Sequence, residues 1–301
     1  MNANRTRHAE QRRGFAYGLM AYALWGVLPL YFKALTGVPP FDIVAHRVVW
    51  SLPFLVALIL LARGLRKVRE AINRPRTVGM LSLSALLIGG NWLLYVYAVT
   101  SGHILAASFG YYLNPLANVL LGRFVLKERL NRLQWTAVVI AAAGISVLAA
   151  GALGQLWISL TLCASFALYG LLRKIVPADP VTGLGIETAI LFPVALLLLG
   201  WRHSTGAAIL GNSAGLTVLL LLAGIVSTTP LILFTAAARQ LQYSTLGMLQ
   251  FIAPTLQFLI AVFYGEPLKS AHFIAFPAIW VALGLYVTAL LQSPRLPQPP
   301  E

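Results

Sequence analysis

The sequence predicts an all-α integral membrane protein of ten transmembrane helices, arranged as two inverted five-helix repeats. Three observations carry this expectation. Of 301 residues, 59% are hydrophobic and 10% charged, and the mean hydropathy is +0.80, which leaves more apolar surface than a water-soluble domain can hide. Apolar runs of about 20 residues, the length that crosses a bilayer core, recur along nearly the whole chain. The second half of the chain then repeats the polar landmarks of the first.

Taken in order, the runs lie near 15–35, 43–62, 78–99, 104–125, 135–152, 155–174, 182–200, 215–236, 245–264 and 271–291. Arg5, Arg7, Arg12 and Arg13 precede the first run as they would in a secretory leader, but Phe15–Phe32 is too long for a typical cleavable core. It is expected to be retained as the first helix. The expected units are a basic cytoplasmic tail (1–14), a first repeat (15–152), a second repeat (153–292) and a cytoplasmic tail (293–301). The connectors are short, so no soluble domain of any size is expected. The connector 63–77 is rich enough in cations to lie against anionic headgroups or simply to be solvated.

Basic residues fall mainly on one side. With the N-terminus inside, 18 of the 22 Lys and Arg residues lie in cytoplasmic segments, including Arg173 with Lys174 after the sixth span. Only Lys33, Arg202 and Lys269 lie outside, and Arg47 lies within the membrane. Such a bias orients multi-pass proteins, so both termini are expected in the cytoplasm. The net charge of +14 is thereby a topology signal. Nucleic acid is not an expected partner, since that needs basic residues gathered on one solvated face. The single cysteine, Cys163, lies mid-span and is read as packing. No disulfide framework, metal site or cofactor is expected.

The internal repeat is the most informative pattern. Pro40, Arg47 and Pro53 of the second span match Pro180, Glu187 and Pro193 of the seventh, all 140 residues later. Tyr111, Pro115 and Asn118 of the fourth match Gln250, Pro254 and Gln257 of the ninth at 139. Leu24-Trp25-Gly26 matches Leu168-Tyr169-Gly170, and the connector after the fourth span resembles that after the ninth. Five spans per half is an odd number, so the two halves enter from opposite sides. Inverted repeats of this kind characterise secondary transporters, with the substrate site at the repeat interface.

These landmarks carry a family resemblance. Leu-Trp-Gly in the first span, Ala45-His46-Arg47 in the second, Tyr112-Leu113-Asn114-Pro115 in the fourth, Glu187-Thr188 in the seventh, and a Glu after the fourth and ninth spans together resemble the drug/metabolite transporter superfamily. Within it the chain is similar to the EamA-type permeases and most of all to the RarD group, over about residues 14–292. The resemblance implies transport of small metabolites or drugs across the bacterial inner membrane without ATP hydrolysis. The group is associated by name with chloramphenicol sensitivity, and no firm substrate is implied.

Arg47 is the residue that most demands a role, because charges at membrane depth are costly and usually face a partner, a cavity or a transport path. It is expected to bind an anionic group of the substrate, to hold a gate, or to clamp helices. Glu187 is the candidate for proton coupling or for an amine ligand, with an interhelical hydrogen bond as its structural alternative. His46, one turn after Asp42, is a second proton-relay candidate, or else an imidazole satisfied by Asp42 or water. Tyr111, Asn114 and Asn118 share one face of the fourth span, and Gln250 and Gln257 repeat that stripe in the ninth. Both stripes flank a proline that frees a carbonyl, so a polar cavity between these helices is expected. Asn91 and Tyr95 in the third span, with Trp25, Trp50, Trp92 and Tyr112, complete the expected substrate-binding set, packing being the plainer role for the aromatics. Glu128 and Glu266 are read as serving the start of the helix that follows. The small-residue run Ala141-Ala142-Ala143-Gly144 suits close helix packing, a homodimer contact included.

The expected function is therefore a secondary transporter working by alternating access on amino-acid-like or chloramphenicol-like solutes, with proton coupling through Glu187 or His46. The alternatives are a membrane-embedded enzyme or a passive channel. The chain carries no Walker A motif, no HExxH and no Ser or Cys nucleophile with a His at spanning depth, so catalysis is not expected. A direct Arg47–Glu187 salt bridge is not expected either. Each lies about five residues into its span, roughly 7 Å deep, but from opposite faces of a core about 30 Å thick.

Overall fold

A computed structural model describes residues 2–149, 153–211, 213–265 and 270–292. Twelve α-helices follow in order: α1 (Asn2–Ala34), α2 (Pro40–Leu61), α3 (Leu65–Ile72), α4 (Pro75–Thr100), α5 (Ile104–Phe124), α6 (Arg132–Leu148), α7 (Leu156–Ile175), α8 (Pro180–Ser204), α9 (Ala214–Gln240), α10 (Tyr243–Leu249), α11 (Ile252–Phe263) and α12 (Ser270–Gln292). Nine segments of the described residues are long and apolar enough to cross a membrane, α10 and α11 together forming one of them, and α6 is a shorter apolar helix. The chain is thus a multi-pass helical membrane protein, and the ten expected spans are all present as helices.

Local chemistry sets the ends. Pro40, Pro75 and Pro180 open their helices, where the missing N–H costs nothing and the fixed φ is already helical. Asn131 and Gln134 form a capping box at the start of α6, and Asp179 caps α8 by accepting from the Thr182 N–H at 3.1 Å. The ninth span departs from the expectation of one continuous helix, because it breaks at Gln250–Phe251. Pro254 removes the N–H that would bond the Gln250 carbonyl, and a discontinuous helix results.

Helix contacts respect the exchange of halves. α2 packs on α8, α5 on α10 and α6 on α12, each joining equivalent spans. The contact of α1 with α9 has its counterpart in α4 with α7, and that of α5 with α7 in α1 with α11. One pairing is unbalanced. α7 packs on α9, whereas the equivalent helices α1 and α4 barely touch.

Two apolar cores hold this arrangement. One gathers Tyr22, Leu55, Ile88, Phe166, Tyr169 and Phe234 around the repeat interface. The other joins α5, α6, α10 and α12 through Phe109, Val119, Ala141, Met248, Phe251 and Tyr286. The small-residue face of α6 is used inside the chain: a Cβ on Gly144 would meet Ala278 Cβ at 2.7 Å. Within the run, Ala141 and Gly144 are buried in this way while Ala143 stays exposed.

Candidate functional site

The residues equivalent under the repeat, Arg47 and Glu187, occupy two different environments. Arg47 projects from the second turn of α2, and its guanidinium lies over the Trp92 ring at 4.6 Å from the centroid. Tyr31, Tyr95 and Tyr111 are its electrostatic neighbours. The Tyr95 and Tyr111 rings stand 5.7 Å apart. The Tyr111 hydroxyl donates to Asn91 Oδ1 at 3.0 Å, and the Asn91 amide donates to the Leu162 carbonyl at 3.0 Å and to Ser165 Oγ at 2.9 Å. The helix that holds Arg47 is fixed from the other side by Ser51, which accepts from Thr228 Oγ1 at 2.6 Å. There α9 approaches so closely that only the bare Cα of Gly224 fits against the Trp50 and Ser51 backbone.

Arg47 is half-buried, its Nε lacks a hydrogen-bond partner, and no described acid pairs with it. A guanidinium offers five donors in a fixed fork that suits carboxylates and phosphates. One left unpaired against an aromatic wall is equipped to receive an anionic group.

Glu187 on α8 is sealed instead. It is 1% exposed and its ion-pair partner is Arg173 of α7, 0% exposed, with Nη1 to Oε1 at 3.4 Å. Ser84 Oγ of α4 donates to the same carboxylate oxygen. Arg173 also donates to the Pro180 carbonyl at 3.0 Å and reaches Thr235 Oγ1 of α9 at 3.5 Å. A Cβ on Gly183 would fall where the Arg173 guanidinium lies. The Tyr169 hydroxyl is buried beside the Glu187 carboxylate, with Thr235 as its other polar neighbour. The expectation that Arg173 is a loop charge is corrected by the structure, in which it is a buried partner of Glu187. The signal was available, since Arg173 lies inside the sixth apolar run at the same end as Glu187. A lone carboxylate in hydrocarbon also requires a counter-charge.

The end of the bundle beyond this ion pair is tied shut by cations on helix-terminal carbonyls. Lys174 Nζ donates to Ala238 O at 2.7 Å and Leu241 O at 2.5 Å. Arg239 Nη1 donates to Val176 O and Ala178 O at 2.8 and 2.7 Å. This is the end that carries the basic loops. At the other end Asp42 pairs with Arg202 at 2.8 Å, and Lys33 lies over the Tyr264 ring at 3.5 Å. Asp42 is therefore engaged by Arg202, and the expected His46–Asp42 bond gives way to one from Trp50 Nε1 to His46 Nδ1 at 3.2 Å.

The remaining expected residues divide. Trp25 packs on Phe166 and Phe234, and Tyr111 also reaches Phe166. A continuous row of rings thus runs from Tyr95 through Phe166 to Tyr169, from beside Arg47 to beside Glu187. Asn118 donates to Gln250 Oε1 at 2.9 Å within the packed α5–α10 contact, so these two members of the stripes bond to each other. Asn114 is fully buried there, with neither amide atom bonded among the described residues. Gln257 donates to the Trp25 carbonyl at 3.1 Å, and Tyr112 faces away from Arg47, onto Phe276 of α12. Tyr31 is the residue of the Arg47 cluster that the sequence left unmarked. Its hydroxyl donates to the Leu219 carbonyl at 2.7 Å.

Glu128 is also reassigned. It does not serve α6, which has its own capping box, but caps α10 across 115 residues. Its oxygens accept from the Tyr243 N–H at 2.6 Å, the Ser244 N–H at 2.9 Å and Ser244 Oγ at 2.7 Å. Glu266 lies outside the described residues.

Comparison with known proteins agrees with this architecture. The pattern of the EamA-like transporter family matches residues 12–150. The chain is 44% identical to protein RarD of Salmonella typhimurium over 95% of its own length and 98% of the relative's. It is 32% identical to the chloramphenicol-sensitive protein RarD of Pseudomonas aeruginosa, over 90% and 92% of the two chains. A crystal structure of a protein only 19% identical shares the fold with a TM-score of 0.72, over 94% of this chain and all of the other.

Proposed function

The chain belongs to the EamA-like transporter family, in its RarD group, and from that premise we propose that it is a secondary transporter of small anionic or zwitterionic solutes with an apolar or aromatic body. The observation that carries this reading is Arg47, a half-buried guanidinium with no acid partner, laid on Trp92 and ringed by tyrosines. Amino-acid-like metabolites fit that chemistry, and the name of the Pseudomonas relative adds chloramphenicol-like solutes to the panel to be tried.

Alternating access rests on the imbalance between the halves. The α7–α9 side is packed and bonded while its counterpart, α1 against α4, is not, as an outward-open carrier would be if the basic loops face the cytoplasm. The excess of Lys and Arg in those loops supports that orientation, with both termini in the cytoplasm of a bacterium and the spans in its inner membrane. Protonation of Glu187 would remove the charge that holds Arg173 and so release the inner seal. His46, bonded to Trp50 one turn away, is a second relay group near Arg47. On this reading the chain is a carrier rather than an enzyme or a channel.

The test is uptake into proteoliposomes of a panel of amino acids, aromatic acids and chloramphenicol, with and without a proton gradient. Arg47→Gln is expected to weaken uptake of anionic solutes by about 10- to 150-fold, the worth of hydrogen bonds to a charged group. Glu187→Gln is expected to abolish the dependence on the gradient. Undiminished anion uptake by Arg47→Gln would overturn the binding assignment, and full gradient-driven accumulation by Glu187→Gln would overturn the coupling assignment.

A further inference from the structure

Outside these two sites, the short helix α3 lies at the basic end against α8 and α4. Its sequence, Leu-Arg-Lys-Val-Arg-Glu-Ala-Ile, sets apolar and cationic side chains on different faces, as interfacial helices do. Over residues 63–76 six basic residues stand against one acid, Glu70.

Two cavities adjoin here. The first, about 190 Å³, has walls of mixed polarity, in which Lys67, Arg74, Glu70 and Asp179 stand beside Ala71, Pro177 and Ala178. The second, about 330 Å³, is a groove with almost wholly apolar walls, among them Val56 and Ile59 of α2, Val68 and Ile72 of α3, and Ile186 and Ile190 of α8. Thr182 borders both, so the charged pocket and the apolar groove are immediate neighbours. The two carboxylates of the pocket are already engaged, Glu70 by Arg66 at 2.8 Å and Asp179 by the Thr182 N–H. Lys67 and Arg74 pair with no acid among the described residues.

We propose that this composite pocket binds one anionic phospholipid, its headgroup phosphate on Lys67 and Arg74 and one acyl chain in the groove between α2, α3 and α8. Lys67 and Arg74, which pair with neither carboxylate, select the headgroup, and the apolar walls require a tail. A groove of this volume is too slight for a helix, which is 10–12 Å across, but it accepts a single hydrocarbon chain. The site stands apart from Arg47 and does not depend on the transport assignment.

Native mass spectrometry of the full chain in detergent, titrated with dioleoyl phosphatidylglycerol or dioleoyl phosphatidylcholine, tests it. Wild type is expected to retain the glycerol lipid in preference to the choline lipid at a stoichiometry of one. Lys67→Gln with Arg74→Gln is expected to lower retention of the glycerol lipid about 30-fold, the effect of two cations at an anionic surface, and to leave the choline lipid unchanged. Ile190→Trp, which fills the groove, should lower retention of both. Arg69→Gln with Arg76→Gln removes the same charge from outside the pocket and should change neither by more than about threefold. An equal loss in that control pair would reduce the effect to diffuse attraction by the loop and overturn the site. Undiminished retention by Ile190→Trp, or full competition by glycerol phosphate alone, would overturn the acyl-chain groove.

Discussion

The contrast between Arg47 and Glu187 is electrostatic. A buried ion pair gains little net stability, because desolvation of both charges offsets their attraction, but stripping one partner leaves an uncompensated charge. Arg173→Met is therefore expected to destabilise the protein by about 3–5 kcal/mol, and Arg173→Met combined with Glu187→Met to recover most of that loss. Thermal unfolding in detergent of the two single variants and the double variant checks this; additive losses would show that Arg173 and Glu187 do not act as a pair. Gly183→Ala should mimic the single variants, since its Cβ displaces the guanidinium. Much of this site was legible in the sequence: an arginine and a glutamate 140 positions apart, each breaking an apolar run, announced two sites at two depths. Arg173 is marked only by its place inside the sixth apolar run, a signal that charge counting overrides by treating a basic residue at a span end as a loop residue. Only packing shows that its side chain turns inward beneath Thr235 and Pro180.

Among the elements, the ninth span shows how sequence pattern and structure diverge. α5, which carries Tyr111, Pro115 and Asn118, packs on α10, whose C-cap is Gln250. Periodicity could not say whether the stripes face water or each other. Gly247 decides it: a Cβ there would meet Asn118 Cβ and the Pro115 carbonyl at 2.8 Å, so the backbones come close enough for Asn118 and Gln250 to bond. The short α10 has few residues of its own to satisfy its first N–H groups, and Glu128 supplies the acceptor from after α5. Glu128→Ala is expected to cost about 1–2 kcal/mol, the worth of a good N-cap, and Glu128→Gln less, since one amide oxygen still accepts. Chemical unfolding monitored by tryptophan fluorescence measures both, and an unchanged midpoint in Glu128→Ala would refute the cap. That bond spans 115 residues, and sequence spacing alone could place Glu128 only beside its nearest helix.

For the whole molecule, the two halves share a plan of contacts and differ in one place. α7 and α9 are locked by Arg173, Lys174 and Arg239, whereas α1 and α4 stand apart beside Arg47. In an inverted repeat, exchanging these two arrangements converts one open end into the other. The ion pair at Glu187 is then the element whose release should tip the balance, and an equilibrium between two such packings is biased only by interactions that differ between them. The most direct measurement places spin labels, in a Cys163→Ala background, at Ala34 and Thr100 to span α1 and α4, and at Ile175 and Gln242 to span the sealed end. Double electron–electron resonance in lipid nanodiscs then reads both distances before and after Glu187→Gln, which stands in for the protonated carboxyl. The Ile175–Gln242 distance is predicted to lengthen and the Ala34–Thr100 distance to shorten in the same population. Distances that stay fixed, or that move in the same direction, would contradict alternating access controlled by Glu187 and Arg173.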